Sequence, residues 1–208
     1  MRYIPEVLRI AGLQPHEIDG WLLTGVERPA FVAAARDLQA RLTDPVIESA
    51  VRRLPPEWFA IGGQQLIRDL EKRRGLLEQA AGSFYEHLAR YVDVQGTDEN
   101  DVARLTREGD GSVTLELSLE SGGAAPSVPY FRRRFLPGET KELRVYLYGG
   151  TDRFVAPGPR GGITVRVSGG AQKDVLDDSR SGGTQFYDAE DGEVVDGRGT
   201  GVSTRPWT

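Results

Sequence analysis

The spacing of apolar residues changes near the middle of the chain. In the first half, apolar residues recur every three or four positions, which is the period of an amphipathic helix. After Gln95 the period falls to two, as in a half-buried strand, and turn-forming residues separate the segments. Glycine follows the same division, with 8 in residues 1–104 and 18 in residues 105–208. We therefore predict an α+β fold, with a helical section over 1–95 and an all-β section over 96–208.

Start and stop signals divide the helical section into three predicted helices. Pro29 and Asp44 are typical of first-turn positions, so helices are expected to begin beside each of them. The third helix is predicted from Gln64 onward. It contains Gly75 and Gly82, each of which costs about 1 kcal/mol relative to alanine in a helix interior. A bend or a break is therefore expected at one of these glycines.

The β section opens with a predicted hairpin and continues with an inexact repeat. The hairpin joins 102–108 to 113–120 through a turn at 109–112, and a further strand is predicted over 130–135. Two units of about twenty residues follow, each with an apolar strand, a glycine pair, an aspartate and a large apolar residue. Their members are Leu143, Val145, Leu147, Gly149, Gly150, Asp152 and Phe154, then Ile163, Val165, Val167, Gly169, Gly170, Asp174 and Leu176. This pattern favours a short β-solenoid or a β-sandwich equally.

Composition and charge exclude several classes of protein. The chain holds 31 acids against 26 strong bases, a net charge of -5, which disfavours a general nucleic-acid binder. It contains no cysteine, which excludes disulfides, thiol nucleophiles and cysteine-ligated zinc. No apolar run is long enough for a membrane-spanning helix, and residues 1–20 lack the apolar core of a signal peptide.

Candidate catalytic residues are scarce. The two histidines, His16 and His87, lie in different contexts, and neither has a second histidine at metal-binding spacing. No nucleotide-binding, nucleophile-elbow or zinc-protease motif is present. We predict no catalytic residue and no organic cofactor. The arginine triplet 132–134 would alternate between the two faces of a strand, which is typical of a charged edge strand rather than of a phosphate site.

One segment is similar to a calcium-binding sequence. Residues 169–177 match the β-roll nonapeptide G-G-x-G-x-D-x-U-x, except that Gln172 replaces the third glycine. Because calcium takes about six to eight oxygen ligands, a site would need carboxylates from neighbouring turns. The hypothesis assigns as ligands Asp152, Asp174, Asp177 and Asp178. The alternative interpretation is a glycine corner in which an aspartate caps the turn.

Four segments resemble a region of large bacterial cell-envelope proteins, in which it precedes a BamA-like outer-membrane β-barrel of the surface-antigen type. The segments are 42–59, which contains Asp44, Pro45, Pro55, Pro56, Trp58 and Phe59; 70–98, with Arg73, Arg74, Phe84 and Tyr85; 139–150, ending in Gly149 and Gly150; and the pattern of Gly169, Gly170, Asp174 and Asp177. Some members of this group are labelled metallophosphatases because of other regions of their chains. The histidine and aspartate motifs of binuclear phosphoesterases do not occur here.

The resemblance implies a non-catalytic structural or interaction module, a fragment of a larger envelope protein. It further implies a periplasmic or outer-membrane-associated location and a membrane barrel in the same parent chain as partner. Two alternatives remain open: a calcium-binding β-roll-like domain, and an accessory part of a phosphoesterase-labelled protein.

Overall fold

The computed structural model describes residues 16–120, 128–159, 161–180, 182–187, 193–195 and 201–203. Helices precede strands along the chain, which confirms the predicted α+β class. The chain forms two compact units. One contains Val26–His87, and the other combines Glu17–Gly25 with the residues from Leu88 onward.

Helices begin beside Pro29, at Asp44 and at Gln64, as predicted, whereas those that begin at His16 and Pro56 were not expected. They are α1 (His16–Leu22), α2 (Arg28–Arg41), α3 (Asp44–Val51), α4 (Pro56–Trp58), a π-helical turn (Phe59–Gly63), α5 (Gln64–Gly75) and α6 (Leu77–Arg90). The expected break in the third predicted helix lies at Leu76, directly after Gly75, whereas Gly82 continues α6. In the helical unit, Ile47, Val51 and Ile67 form a small buried core. None of the described helices is long and apolar enough to cross a membrane.

Strand structure begins earlier than the sequence pattern predicts. Residues Tyr91–Gln95 were expected at the end of the helical section, but they form the first strand. Val92 and Val94 are buried and Tyr91 is exposed. Buried and exposed side chains therefore alternate as in a strand and do not continue the apolar face of the preceding helix. The physical reason is long-range, because this segment pairs in parallel with Glu142–Tyr146, about fifty residues away.

The described residues of the β unit contain eleven strands. They are β1 (Tyr91–Gln95), β2 (Asp101–Arg107), β3 (Val113–Leu119), β4 (Phe131–Phe135), β5 (Glu142–Tyr146), β6 (Arg153–Val155), β7 (Thr164–Ser168), β8 (Val175–Asp177), β9 (Thr184–Tyr187), β10 (Glu193–Val195) and β11 (Gly201–Ser203). The first sheet has the order β1-β5-β7-β9-β11 and the second β10-β8-β6-β2-β3-β4. The predicted hairpin is the antiparallel pair β2 and β3. Leu115 and Leu117 of β3 are fully buried, whereas Leu119, at the end of the strand, is 43% exposed.

From β5 onward the chain alternates between the two sheets. Each passage from the first sheet to the second, such as β5 to β6 or β7 to β8, makes one coil, and successive coils pair in parallel. The pair β1 and β2 makes an equivalent first coil, which β3 and β4 separate from the next. The winding therefore joins the predicted repeat units into one stack.

The repeat is offset by two residues from the predicted alignment. Leu143 pairs with Val165, and not with Ile163, while Phe154 pairs with Leu176. The strands and the corner aspartates thus share one spacing of 22 residues between these two coils, whereas the glycine pairs are 20 residues apart. The repeat is inexact in sequence because the glycine pairs, and Ile163 with the first apolar residue of β5, align at the shorter spacing. Side chains of Leu143, Val165, Phe154 and Leu176 are fully buried between the sheets.

A short N-terminal segment packs against one end of the coil stack. Within Glu17–Gly25, the Thr24 hydroxyl donates to the backbone oxygen of Asp93 on edge strand β1 at 3.1 Å. Arg133 donates from Nη1 to the carbonyl oxygen of Thr24, and its guanidinium lies 4.7 Å from the ring centroid of Phe135. This segment therefore bonds to the outer edge of the first sheet and to β4 of the second.

Candidate functional site

Three buried aspartates occupy equivalent positions at one corner of successive coils. Asp101, Asp152 and Asp174 stand at or directly before the first residue of β2, β6 and β8. Each is at most 1% exposed. Because buried carboxylates are costly unless they are hydrogen-bonded, their bonding partners decide what this corner does. We call these three residues the aspartate ladder.

Hydrogen bonds connect the ladder from coil to coil. Asp152 Oδ1 accepts the backbone N–H of Asp101 at 2.8 Å, and Asp174 Oδ1 accepts the backbone N–H of Asp152 at 2.9 Å. Asp101 Oδ2 accepts the N–H of Thr97 at 2.7 Å, and its Oδ1 accepts the Tyr130 hydroxyl at 2.9 Å. Each carboxylate thus satisfies a backbone donor that the corner would otherwise bury unpaired.

The corner glycines allow the coils to approach each other closely. Gly150 and Gly170 have φ of 104° and 100°, a region that favours glycine. A Cβ on Gly150 would lie 2.5 Å from the Glu99 carbonyl oxygen, and one on Gly170 would lie 1.8 Å from that of Tyr148. Only hydrogen fits at these two positions, which explains why the second residue of each pair is glycine.

Gln172, the residue that departs from the calcium-binding nonapeptide, also bonds to the preceding coil. Its Oε1 accepts the backbone N–H of Gly150 at 2.6 Å. Asn100, in the first coil, bonds in the other direction, because its Oδ1 accepts the N–H of Thr151 in the following coil at 2.8 Å. The polar side chains of this corner therefore serve as acceptors for backbone donors of a neighbouring coil.

Asp177 and Asp178 lie at the opposite end of β8, in the connection to β9. Asp178 Oδ1 accepts the N–H of Gly182 at 2.9 Å, and its Oδ2 accepts that of Thr184 at 2.8 Å. Asp177 accepts the hydroxyl of Ser179 at 2.6 Å, and this bond lowers the pKa of the Asp177 carboxyl. The four aspartates assigned to calcium therefore divide between two corners, with Asp152 and Asp174 at one and Asp177 and Asp178 at the other.

The central member of the ladder has a strongly shifted pKa. The pKa of Asp152 is raised to about 7, chiefly by burial and to a smaller extent by the neighbouring carboxylates of Asp174 and Asp101, while the bond from the Asp101 N–H acts in the opposite direction. Its Oδ2 is buried and accepts no hydrogen bond from any described residue. Among the described residues, the Asp101 N–H is thus the one hydrogen-bond donor to the Asp152 carboxylate.

The calcium hypothesis remains a prediction. The structure brings no more than two of the four assigned aspartates together at either corner. Among the described residues, no three or more histidine, aspartate or glutamate side chains form a group that could hold a metal ion. Asp152 and Asp174 are adjacent, but each already uses one oxygen for a backbone N–H. A calcium ion at this corner would need most of its oxygen ligands from elsewhere.

The remaining candidate residues are distributed through both units. His16 begins α1, and its side chain lies outside the described residues, while His87 is exposed on α6. The arginine triplet alternates as predicted, with Arg132 and Arg134 exposed and Arg133 buried.

Sequence analysis missed Asp101 as the third member of the ladder. The available signal was an aspartate followed two residues later by a buried apolar residue, which recurs at Asp101 with Ala103 as at Asp152 with Phe154.

No protein-family model, curated protein or solved structure matches the chain. The roles of the side chains at the two corners are therefore inferred from the distances and hydrogen bonds described above.

Proposed function

We propose that this chain is a non-catalytic structural and interaction module of a larger bacterial cell-envelope protein, built around a short β-solenoid. The observation that carries the proposal is the aspartate ladder, in which Asp152 and Asp174 bond to backbone N–H groups of the preceding coil. These carboxylates act on the chain itself, as hydrogen-bond acceptors that hold one coil against the next. The resemblance to regions that precede an outer-membrane barrel supplies the envelope location and the barrel as partner.

A solenoid suits such a position because it is a self-supporting spacer. Each coil contacts mainly its neighbours, so stability comes from nearest-neighbour contacts along the stack. Here the contacts are an apolar ladder inside, such as Val145 on Val167, and the polar corners outside. A module of this kind keeps the elements attached to it at a fixed distance from each other.

A calcium-binding domain is the second candidate, and Asp152 Oδ2 favours it. That oxygen is buried without a hydrogen bond from the described residues, which is the state of an atom that a cation would stabilise. The accessory part of a phosphoesterase-labelled protein is a third candidate and rests on the resemblance alone.

The envelope proposal is tested in native cells. An antibody raised against the 208-residue chain should detect its antigen in the envelope fraction, on a polypeptide longer than this chain. Purified chain should hydrolyse no phosphomonoester or phosphodiester substrate with or without added divalent metal. Antigen in the cytosolic fraction would overturn the location, and metal-dependent hydrolysis by the purified chain would favour the phosphoesterase candidate.

A further inference from the structure

The outer face of the second sheet carries a concentration of arginines. Arg153 on β6, Arg104 on β2, and Arg132 and Arg134 on β4 all lie on the side opposite the buried core. Glu116 on β3 is the one carboxylate that points outward from these four adjacent strands in the described part of the chain. We call this set of arginines the arginine face. It is cationic, although the chain as a whole has a net charge of -5.

Two of the four arginines are already paired within the protein. Arg132 lies 3.1 Å from Glu116, and Arg134 lies 2.6 Å from Asp110 in the hairpin turn. Arg104 and Arg153 are exposed, and neither has a carboxylate within 4.0 Å among the described residues. They occupy diagonal positions on neighbouring strands, because Val102 pairs with Arg153 and Arg104 with Val155. Glu116 stands opposite Arg104 and the charge of Arg153 acts on Asp177 of β8, but neither arginine forms an ion pair with them, so both guanidinium groups are exposed at one place on the face.

The shape of the face selects among anionic partners. The outward residues between the arginines are small or of medium size, namely Val102, Thr106, Thr114, Ser118 and Val155. No aromatic residue points outward from these four strands in the described part, whereas proteins that bind single-stranded nucleic acid use aromatic stacking platforms. Duplex recognition places a protruding helix or ribbon in a groove, which a broad sheet face cannot do. A sheet that carries separated cations is instead complementary to an extended anionic surface.

We propose that the arginine face docks on the anionic surface of a phospholipid bilayer, with Arg104 and Arg153 as its principal contacts to lipid phosphates. This inference rests on the proposed envelope function, since it names the surface beside which the module would lie. Binding of this type is additive in basic residues and is screened by salt. It requires no insertion of the chain into the bilayer.

The test measures co-sedimentation of the full chain with vesicles. Wild type should bind vesicles of equal phosphatidylglycerol and phosphatidylcholine at low ionic strength and lose this binding in about 0.5 M salt, where the Debye length is only a few ångströms. Vesicles of phosphatidylcholine alone should not bind it. The double variant Arg104→Gln with Arg153→Gln should bind the anionic vesicles at least tenfold more weakly.

The matched control removes two exposed arginines from the helical unit, as Arg53→Gln with Arg68→Gln. Both double variants change net charge equally and should keep the wild-type circular dichroism spectrum, because exposed substitutions have small effects on stability. Equal loss of vesicle binding in both variants would overturn the proposal, as would binding to an oligonucleotide but not to vesicles. An envelope antigen whose purified chain ignores anionic vesicles would refute this inference alone, whereas a cytosolic antigen would refute the proposed location.

Discussion

Gly170→Ala is expected to destabilise the β unit by more than about 3 kcal/mol. The new Cβ would lie 1.8 Å from the carbonyl oxygen of Tyr148, a backbone atom of the preceding coil that has no freedom to rotate away. The residue also has φ of 100°, which strains any side chain. Clash and strain act together, so the coils must separate at this corner. Denaturant unfolding followed by circular dichroism in the β region measures the loss as a lower midpoint.

Gly138→Ala is the matched control in the same unit. No heavy atom lies within 4 Å of a Cβ at Gly138, and its φ is not in the left-handed region. Its free energy of unfolding should stay within about 0.5 kcal/mol of wild type. If Gly170→Ala lowered the free energy of unfolding as little as Gly138→Ala, the close approach of the coils described at this corner would be wrong.

Asp152→Asn is expected to make the protein more stable than wild type at pH 8. The folded pKa of Asp152 is about 7, above its ordinary value of 3.8. The stability that this carboxyl contributes is therefore fully present below about pH 4 and is lost as the pH rises through 7. The loss is about 4 kcal/mol at most. The amide of asparagine still accepts the Asp101 N–H but carries no charge, so the variant should lack this component of the pH dependence.

The measurement is the free energy of unfolding of both proteins at intervals between pH 4 and 8. The difference between the proteins isolates Asp152, because both contain the same histidines and the same paired carboxylates. Asp152→Ala provides a second comparison. Relative to Asp152→Asn, it leaves the buried Asp101 N–H unpaired and should cost about 1–3 kcal/mol throughout this range. A constant difference between wild type and Asp152→Asn from pH 4 to 8 would show that Asp152 does not titrate as described.

Stability measurements of the same two proteins with calcium and with a chelator test the calcium-binding candidate. If calcium binds at the corner, it should stabilise wild type at pH 8 and leave Asp152→Asn nearly unchanged, because the charged ligand is missing from the variant. Equal melting temperatures of wild type with calcium and with chelator would eliminate this candidate.

Local signals were sufficient to predict the starts of α2, α3 and α5 and the hairpin. Asp44 with Pro45 begins α3, and the apolar alternation on both sides of residues 109–112 forms β2 and β3. Start signals and short turns act within a few residues of chain, so they are readable without knowledge of the fold. The strand Tyr91–Gln95 was missed because its partner is β5, which no local pattern identifies.

The candidate site was predictable only in part, for the same reason. Asp152 and Asp174 are 22 residues apart, and the repeat made their equivalence visible. Asp101 precedes Asp152 by 51 residues, because β3 and β4 separate the first coil from the second. The repeat is therefore recognisable in the sequence only from β5 onward. The four aspartates assigned to calcium lie at two different corners because β8 separates Asp174 from Asp177 and Asp178.

Disulfide trapping tests the central claim, that the β unit is a stack of parallel coils in register. The chain contains no cysteine, so a pair can be introduced at Tyr146 and Ser168, which are direct neighbours on β5 and β7. Neighbouring strands are about 4.8 Å apart, within the Cα separation that a disulfide accepts. The control pair, Tyr146 with Thr164, is four residues out of register, or about 13 Å along the strand. Mild oxidation should cross-link the first pair nearly completely and the control pair very little. Failure of the first pair, or equal cross-linking of both, would contradict the coil stack.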